Sequence, residues 1–367
     1  MLPNGRWARV AVVVVWAAVL AGCGADEWGA VKNPVGLLSS QRWFGDRFVG
    51  VDLWEVVICR VPVDSVAQVF EPISDRLALG SDDIVAELGG VTDYFERWSR
   101  GRYRPEFRAG EDVAVGVADD DQDCVERALD GIADDVDGVL VVADAQHRED
   151  VPGGWGRPGR PCVDECPASS TGRAAYVGAA DFFVPDSPPL DLVQHEIGHA
   201  LDWPHSNLSD ATFDRGVYDS PFDLMSDTAA GRAVDPNVRN APGPSAVHLL
   251  SAGWLDADEV RVVGSNSTQV LVPADSSVGG IRLLVVPTVE AWLTVEVIAA
   301  RGDNVHLGVD QVVVHRIDPG DDSGVSRRQI VVASGLVNDS TFVGFGATVS
   351  VSEVDGENWT VRVEIGR

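Results

Sequence analysis

Apolar and polar positions alternate in three different ways along this chain. Near the start, residues 10–21 form an unbroken apolar run behind Arg6 and Arg9. A membrane-spanning helix needs about 20 apolar residues, so this run is too short and fits the core of a secretory leader. Residues 51–62 read as a strand, with Val56, Val57 and Ile58 buried on both faces. Residues 81–100 read as one helix with Ser81 as N-cap, because Ile84, Leu88, Val91, Tyr94, Phe95 and Trp98 recur at helical spacing. A second helix is expected over residues 122–133. The continuous apolar run at 139–143 has the character of a central strand. Residues 147–175 lack periodicity and read as loop, and 174–178 as an edge strand. A further helix starts near Asp191.

From Asp256 the texture changes. Short β-rich runs recur at 269–272, 281–286, 292–298, 311–317, 329–333, 347–354 and 358–365, separated by turn residues. Seven such runs predict an all-β sandwich. The expected organisation is a leader at 1–22, a tether at 23–48, an α+β domain with a mixed sheet at 49–255, and the sandwich at 256–367. No solenoid-type repeat is evident.

The formal charge of −29 excludes nucleic acid as an expected partner and predicts a self-repelling, monomeric surface. Five cysteines add two expectations. Leu20-Ala21-Gly22-Cys23 resembles the bacterial lipobox, which implies cleavage before Cys23 and a lipid anchor on its thiol. The chain is then exported and held at the outer face of the cell membrane by its acyl chains. Cys59, Cys124, Cys162 and Cys166 are an even number in an oxidising compartment, so two disulfides are expected. Three pairings are open; a local Cys162–Cys166 clip is favoured, leaving Cys59–Cys124. The clusters Asp119-Asp120-Asp121 and Asp318-Pro319-Gly320-Asp321-Asp322 lack full EF-hand spacing; structural calcium is a secondary expectation there, and solvated loop the primary one.

The candidate chemistry lies in Gln194-His195-Glu196-Ile197-Gly198-His199-Ala200-Leu201-Asp202-Trp203-Pro204-His205. On a helix, His195 and His199 stand about 40° apart around the axis and about 6 Å along it. One metal ion can therefore meet both imidazoles. Glu196, about 100° round from His195, is placed to take a proton from water. If the helix continued, His205 would point about 240° away from His199. Asp202 tolerates the left-handed conformation that ends helices, and Pro204 biases Trp203 away from helix. A stop at Asp202 swings His205 back and gives three nitrogen ligands with a fourth position open. That is the pattern of a catalytic rather than a structural zinc site. Apart from the initiator, Met225 is the only methionine, set in a Pro/Asp/Ser turn. His306 and His315 have no partner at ligand spacing and read as ordinary strand or surface histidines.

With the HExxHxxxxxH motif, Met225, the segment from Tyr94 to Tyr103 and Gly253-Trp254-Leu255, the chain resembles metzincin peptidases of the immune inhibitor A and gametolysin type, from about residue 50 to near the C-terminus. The resemblance implies a metzincin-like catalytic domain built of a mixed sheet plus a zinc helix. It further implies zinc on His195, His199 and His205, Glu196 as general base, Met225 in a Met-turn beneath the metal, and a protein or peptide substrate. Asp202 stands where the family usually has Gly, so its charge is expected near the metal. Asp202 and Asp210 are rival acidic ligands to His205, which is better placed. No tyrosine follows Met225 within two residues, so no tyrosine stabiliser is carried over. Two other functions fit the same residues: a zinc-binding adhesin or scaffold without catalysis, and an amidase acting on a cell-envelope crosslink. Retention of Glu196 argues against the first.

Overall fold

The computed structural model describes residues 48–66, 77, 79–145, 153–160, 168–178, 182, 189–214, 216–318 and 327–366. Cys23, Cys162, Cys166, the leader and residues 319–322 lie outside these.

The N-terminal half is built on strand β1 (Gly50–Arg60). Helices α1 (Ser81–Glu87) and α2 (Gly89–Trp98) follow, then β2 (Tyr103–Ala109), β3 (Val113–Ala114), α3 (Asp121–Gly131), β4 (Gly138–Ala143), β5 (Gly154–Arg157), α4 (Ala168–Thr171) and β6 (Ala174–Val177). The strands form one sheet in the order β2-β1-β4-β6-β5, with β3 on β1. All neighbours are parallel except β5, which runs antiparallel to β6.

Both faces of this sheet are covered, as a parallel sheet requires. Trp54, Val56 and Ile58 of β1, with Leu140 and Val142 of β4, face one core; Val57, Cys59, Val139, Val141 and Ala143 face the other. Strand periodicity of two sends alternate residues to opposite faces, which explains why neither strand shows a polar side. On the second face the disulfide Cys59–Cys124 ties β1 to α3.

Four local expectations are corrected. The helix expected over 81–100 is broken at Leu88, where Gly89-Gly90 weakens helix propensity. Gly90 is needed for packing, since a Cβ there would stand 2.5 Å from Leu190 Cδ1. The N-cap of α1 is Gly80, not Ser81; its N–H donates to Asp83 Oδ2 at 2.9 Å. The stretch 147–175 holds β5 and α4, so it is not all loop, and β6 is not an edge strand because β5 covers it.

Helix α5 (Asp191–Ala200) follows β6, then β7 (Ser206–Asn207), α6 (Asp210–Phe213), α7 (Ala230–Val234) and α8 (Ala246–Ser251). Under α5 sits an aromatic core: Phe95 meets Trp203 and Trp254 at 6.4 and 6.2 Å between ring centroids, and Trp254 stacks on Tyr103 at 5.5 Å.

The remaining strands are β8 (Val260–Val262), β9 (Ser267–Leu271), β10 (Leu283–Pro287), β11 (Trp292–Ile298), β12 (Gln311–Asp318), β13 (Arg328–Leu336), β14 (Thr341–Gly344), β15 (Ala347–Asp355) and β16 (Asn358–Ile365). They form two sheets, β7-β13-β12-β11-β10-β8 and β14-β15-β16-β9. Val295 and Val314 from one and Val349 and Val361 from the other share a core between the layers. Each of the seven expected runs falls on a strand, with 269–272 and 281–286 overrunning β9 and β10 by one and two residues, while β8 and β14 were too short to read. The first core also includes Val260, Leu283, Val285 and Ile317, so apolar packing is continuous past Leu255.

Candidate metal centre

Helix α5 ends where its sequence says it should. The N–H of Leu201 still reaches Ile197 O, that of Trp203 turns back to Gly198 O, and Asp202 takes φ +62°. The left-handed residue reverses the chain and carries His205 back over the helix. His205 Nε2 then stands 2.9 Å from His199 Nε2 and 3.2 Å from His195 Nε2. Among the described residues this is the only cluster of three or more metal-ligating side chains whose donor atoms converge, all within 4.8 Å of one another.

Two of the rings have a fixed tautomer. His195 Nδ1–H donates to Leu224 O at 2.8 Å, and His199 Nδ1–H donates to Trp203 O at 2.9 Å. Their Nε2 atoms are therefore lone-pair acceptors, since a neutral imidazole carries one proton. Burial keeps all three neutral: it lowers His195 and His205, and with the neighbouring His195 brings His199 down to about 3. A single N–H on His205 cannot fully satisfy both facing lone pairs, so the cluster has more acceptors than donors. Neutral imidazoles with backbone-bound second nitrogens are the donor set zinc takes. Tetrahedral ligands at 2.0–2.1 Å stand about 3.4 Å apart, close to the observed spacing.

Glu196 lies beside the cluster and is almost fully buried; burial raises its carboxyl well above the usual range. Its Oε2 meets no hydrogen-bond partner among the described residues. A buried acceptor left open costs on the order of 1–3 kcal/mol, so a water or ligand donor at this oxygen is favoured.

Met225 is buried against the underside of α5. A Cβ on Gly198 would fall 2.4 Å from Met225 Sδ, so the glycine inside the motif is what lets the methionine approach. The same logic holds on the other side: a Cβ on Gly156 would lie 2.0 Å from Glu196 O, and one on Gly154 2.9 Å from Glu196 Cγ. Glycines at alternate positions let β5 lie directly against the helix at the site, and its far edge pairs with no strand among the described residues.

The rival acidic ligands are elsewhere. Asp202 pairs with Arg327, and Asp210 with Arg316, each through both carboxylate oxygens. Asp119, Asp120 and Asp121 are likewise engaged, with Arg127, with the first turn of α3 and with Trp155.

One residue escaped the sequence. Tyr218 stacks on His205 with centroids 3.7 Å apart and planes at 23°, and remains 44% exposed. Partial burial and the Glu196 carboxylate raise its pKa. Its signal was faint: a tyrosine in a loop, seven residues before Met225.

No family model matches the chain, and no curated protein does. Among solved structures it is similar to metalloproteinase-II from Bacteroides fragilis, at 13% identity over 59% of each chain with a TM-score of 0.33. It is also similar to a chaperone–substrate complex, at 14% identity over 56% of this chain and 35% of that one, TM-score 0.29. Both alignments span less than two thirds of either protein. Likeness at this level decides nothing, and the functional reading rests on the site.

Proposed function

We propose that this chain is an exported, membrane-anchored zinc metalloendopeptidase. The observation that carries the reading is the convergence of three imidazole nitrogens beside a buried carboxylate oxygen that has no hydrogen-bond partner among the described residues. His195, His199 and His205 would hold the ion through Nε2, with the Leu224 and Trp203 carbonyls orienting two of the rings. Zinc supplies Lewis acidity there, toward a scissile carbonyl and toward water.

Glu196 Oε2 accepts a proton from the attacking water and passes it to the leaving amide nitrogen. An extended peptide adds to the edge of β5 that pairs with no strand among the described residues, which sets its carbonyls over α5. Tyr218, on the solvent side of His205, donates its O–H to the oxygen on which charge develops. Met225 is the apolar floor on which α5 rests. Export and attachment through Cys23 belong to the same proposal and rest on the leader sequence.

The test is cleavage of an unfolded protein by wild type and Glu196→Gln, each with and without chelator. The reading expects turnover in metal-loaded wild type alone, with Glu196→Gln still binding zinc but losing at least a hundredfold in rate, as loss of a general base does. An active Glu196→Gln enzyme sinks the mechanism. A zinc-loaded wild type that cleaves no protein replaces the peptidase with a zinc-binding lipoprotein or a narrow envelope amidase.

A further inference from the structure

His195 and His199 share a helix, and their spacing needs nothing outside it. His205 lies beyond a turn whose pivot, Asp202, has a positive φ that costs a non-glycine residue about 1–2 kcal/mol. Glycine would make that turn without strain, but it would also leave His205 on a slack hinge. The structure shows what the aspartate does instead. Its carboxylate pairs with both terminal nitrogens of Arg327, with the two side chains only 22% and 25% exposed. Immediately after His205, β7 pairs with β13, Ser206 opposite Gln329 and Asn207 opposite Ile330. Residues 202 and 206 are thus fastened to residue 327, just before β13, and residue 329, near its start. His205 hangs between these two fastenings. Farther along the same loop, Arg316 of β12 holds Asp210 and Arg328 of β13 lies 3.8 Å from Asp214.

We propose that the C-terminal sheet positions the third metal ligand, with Arg327 as the key positioning residue acting through Asp202. The sandwich is then part of the metal centre and not an appended module, although none of its side chains enters the cluster. The inference rests on the zinc reading above. A bidentate guanidinium–carboxylate pair fixes direction as well as distance, which a single lysine contact does not. That geometric fixity is what a ligand on a reversed chain needs.

The experiment is zinc affinity of the full chain purified in detergent, by chelator competition, for wild type, Arg327→Gln, Arg327→Lys, Asp202→Asn and His205→Ala. Asn keeps the left-handed turn and removes the charge, so it separates the ion pair from the backbone. Arg327→Gln and Asp202→Asn should each weaken zinc by about 10–100-fold, the usual effect of losing a group that orients a ligand. The metal-free proteins should keep the wild-type thermal midpoint. Arg327→Lys should recover part of the affinity, and the visible band of the cobalt-loaded Arg327→Gln protein should shift toward that of His205→Ala. Wild-type affinity in both Arg327→Gln and Asp202→Asn, beside a weakened His205→Ala, would overturn the positioning role and leave the zinc site standing. A wild type that binds no zinc would overturn both. Should Arg327→Gln fail to fold, Asp202→Asn decides the matter.

Discussion

Two histidine clusters lie within one molecule and follow opposite electrostatic rules. At the first, His195, His199 and His205 bring bare ring nitrogens together with no acidic residue among them. At the second, His248 lies 3.2 Å from Asp223, and His315 lies 3.5 Å from Glu296, all four buried between α8 and the C-terminal sheet. Burial pushes the Asp223 carboxyl up, but His248 and the Ser245 N–H outweigh it and hold the group below the ordinary range. Glu296 accepts only the Ala246 N–H, which burial outweighs, and is raised to about 8, while burial lowers His315 to about 4. At the second cluster each histidine faces a carboxylate; at the first the ring nitrogens face one another, and their lone pairs are open to a cation. Histidine content therefore says little about metal binding, and what surrounds the imidazoles says most.

The contrast can be broken most forcefully at His248. Replacing it with Ala strands Asp223 in the core, and loss of one partner of a buried pair costs about 3–5 kcal/mol. The expected result is a large drop in urea midpoint with zinc content per folded chain unchanged. Equal loss of zinc and of stability would show that the two clusters are one unit.

Glu296→Gln is a gentler probe, and its sign is fixed by linkage. The folded pKa near 8 lies above the unfolded value of about 4.5, so between those limits the folded state binds the extra proton. This contribution to stability is full below pH 4.5 and is lost as pH rises toward 8. Gln does not ionise, and its side chain still accepts the Ala246 N–H that Glu296 Oε2 accepts at 2.9 Å. The variant should therefore gain on wild type steadily from pH 5 to pH 8. His315 works the other way: its lowered pKa costs stability below about pH 6.5 in both proteins, so it cancels in the difference. A melting-temperature difference that is flat across this range would contradict a neutral Glu296.

The spacing of the first cluster was legible because helix geometry converts sequence distance into angle. Asp202 and Pro204 were enough to announce the reversal that delivers His205. The C-terminal strands were legible because their β-branched runs are long and separated by turns. Strand β5 was not, since Gly154-Trp155-Gly156-Arg157 has little strand character. It exists because its glycines allow the backbone to press against Glu196 and His199, a tertiary contact no local pattern encodes. The second histidine cluster was hidden for a similar reason. Asp223, His248, Glu296 and His315 come from distant stretches and meet only when the sheet packs on α8 and the turn that carries Met225, so His315 read as an ordinary strand residue. Tyr218 reaches His205 from across a loop, and its stacking has no sequence period.

The central claim is that the first cluster is the metal centre, and zinc content tests it most directly. Wild type and His199→Ala should be dialysed against dilute zinc and then against metal-free buffer, and metal measured per folded chain. The account predicts one zinc in wild type and none in His199→Ala. Stoichiometric zinc retained by His199→Ala, or none in the folded wild type, would contradict it.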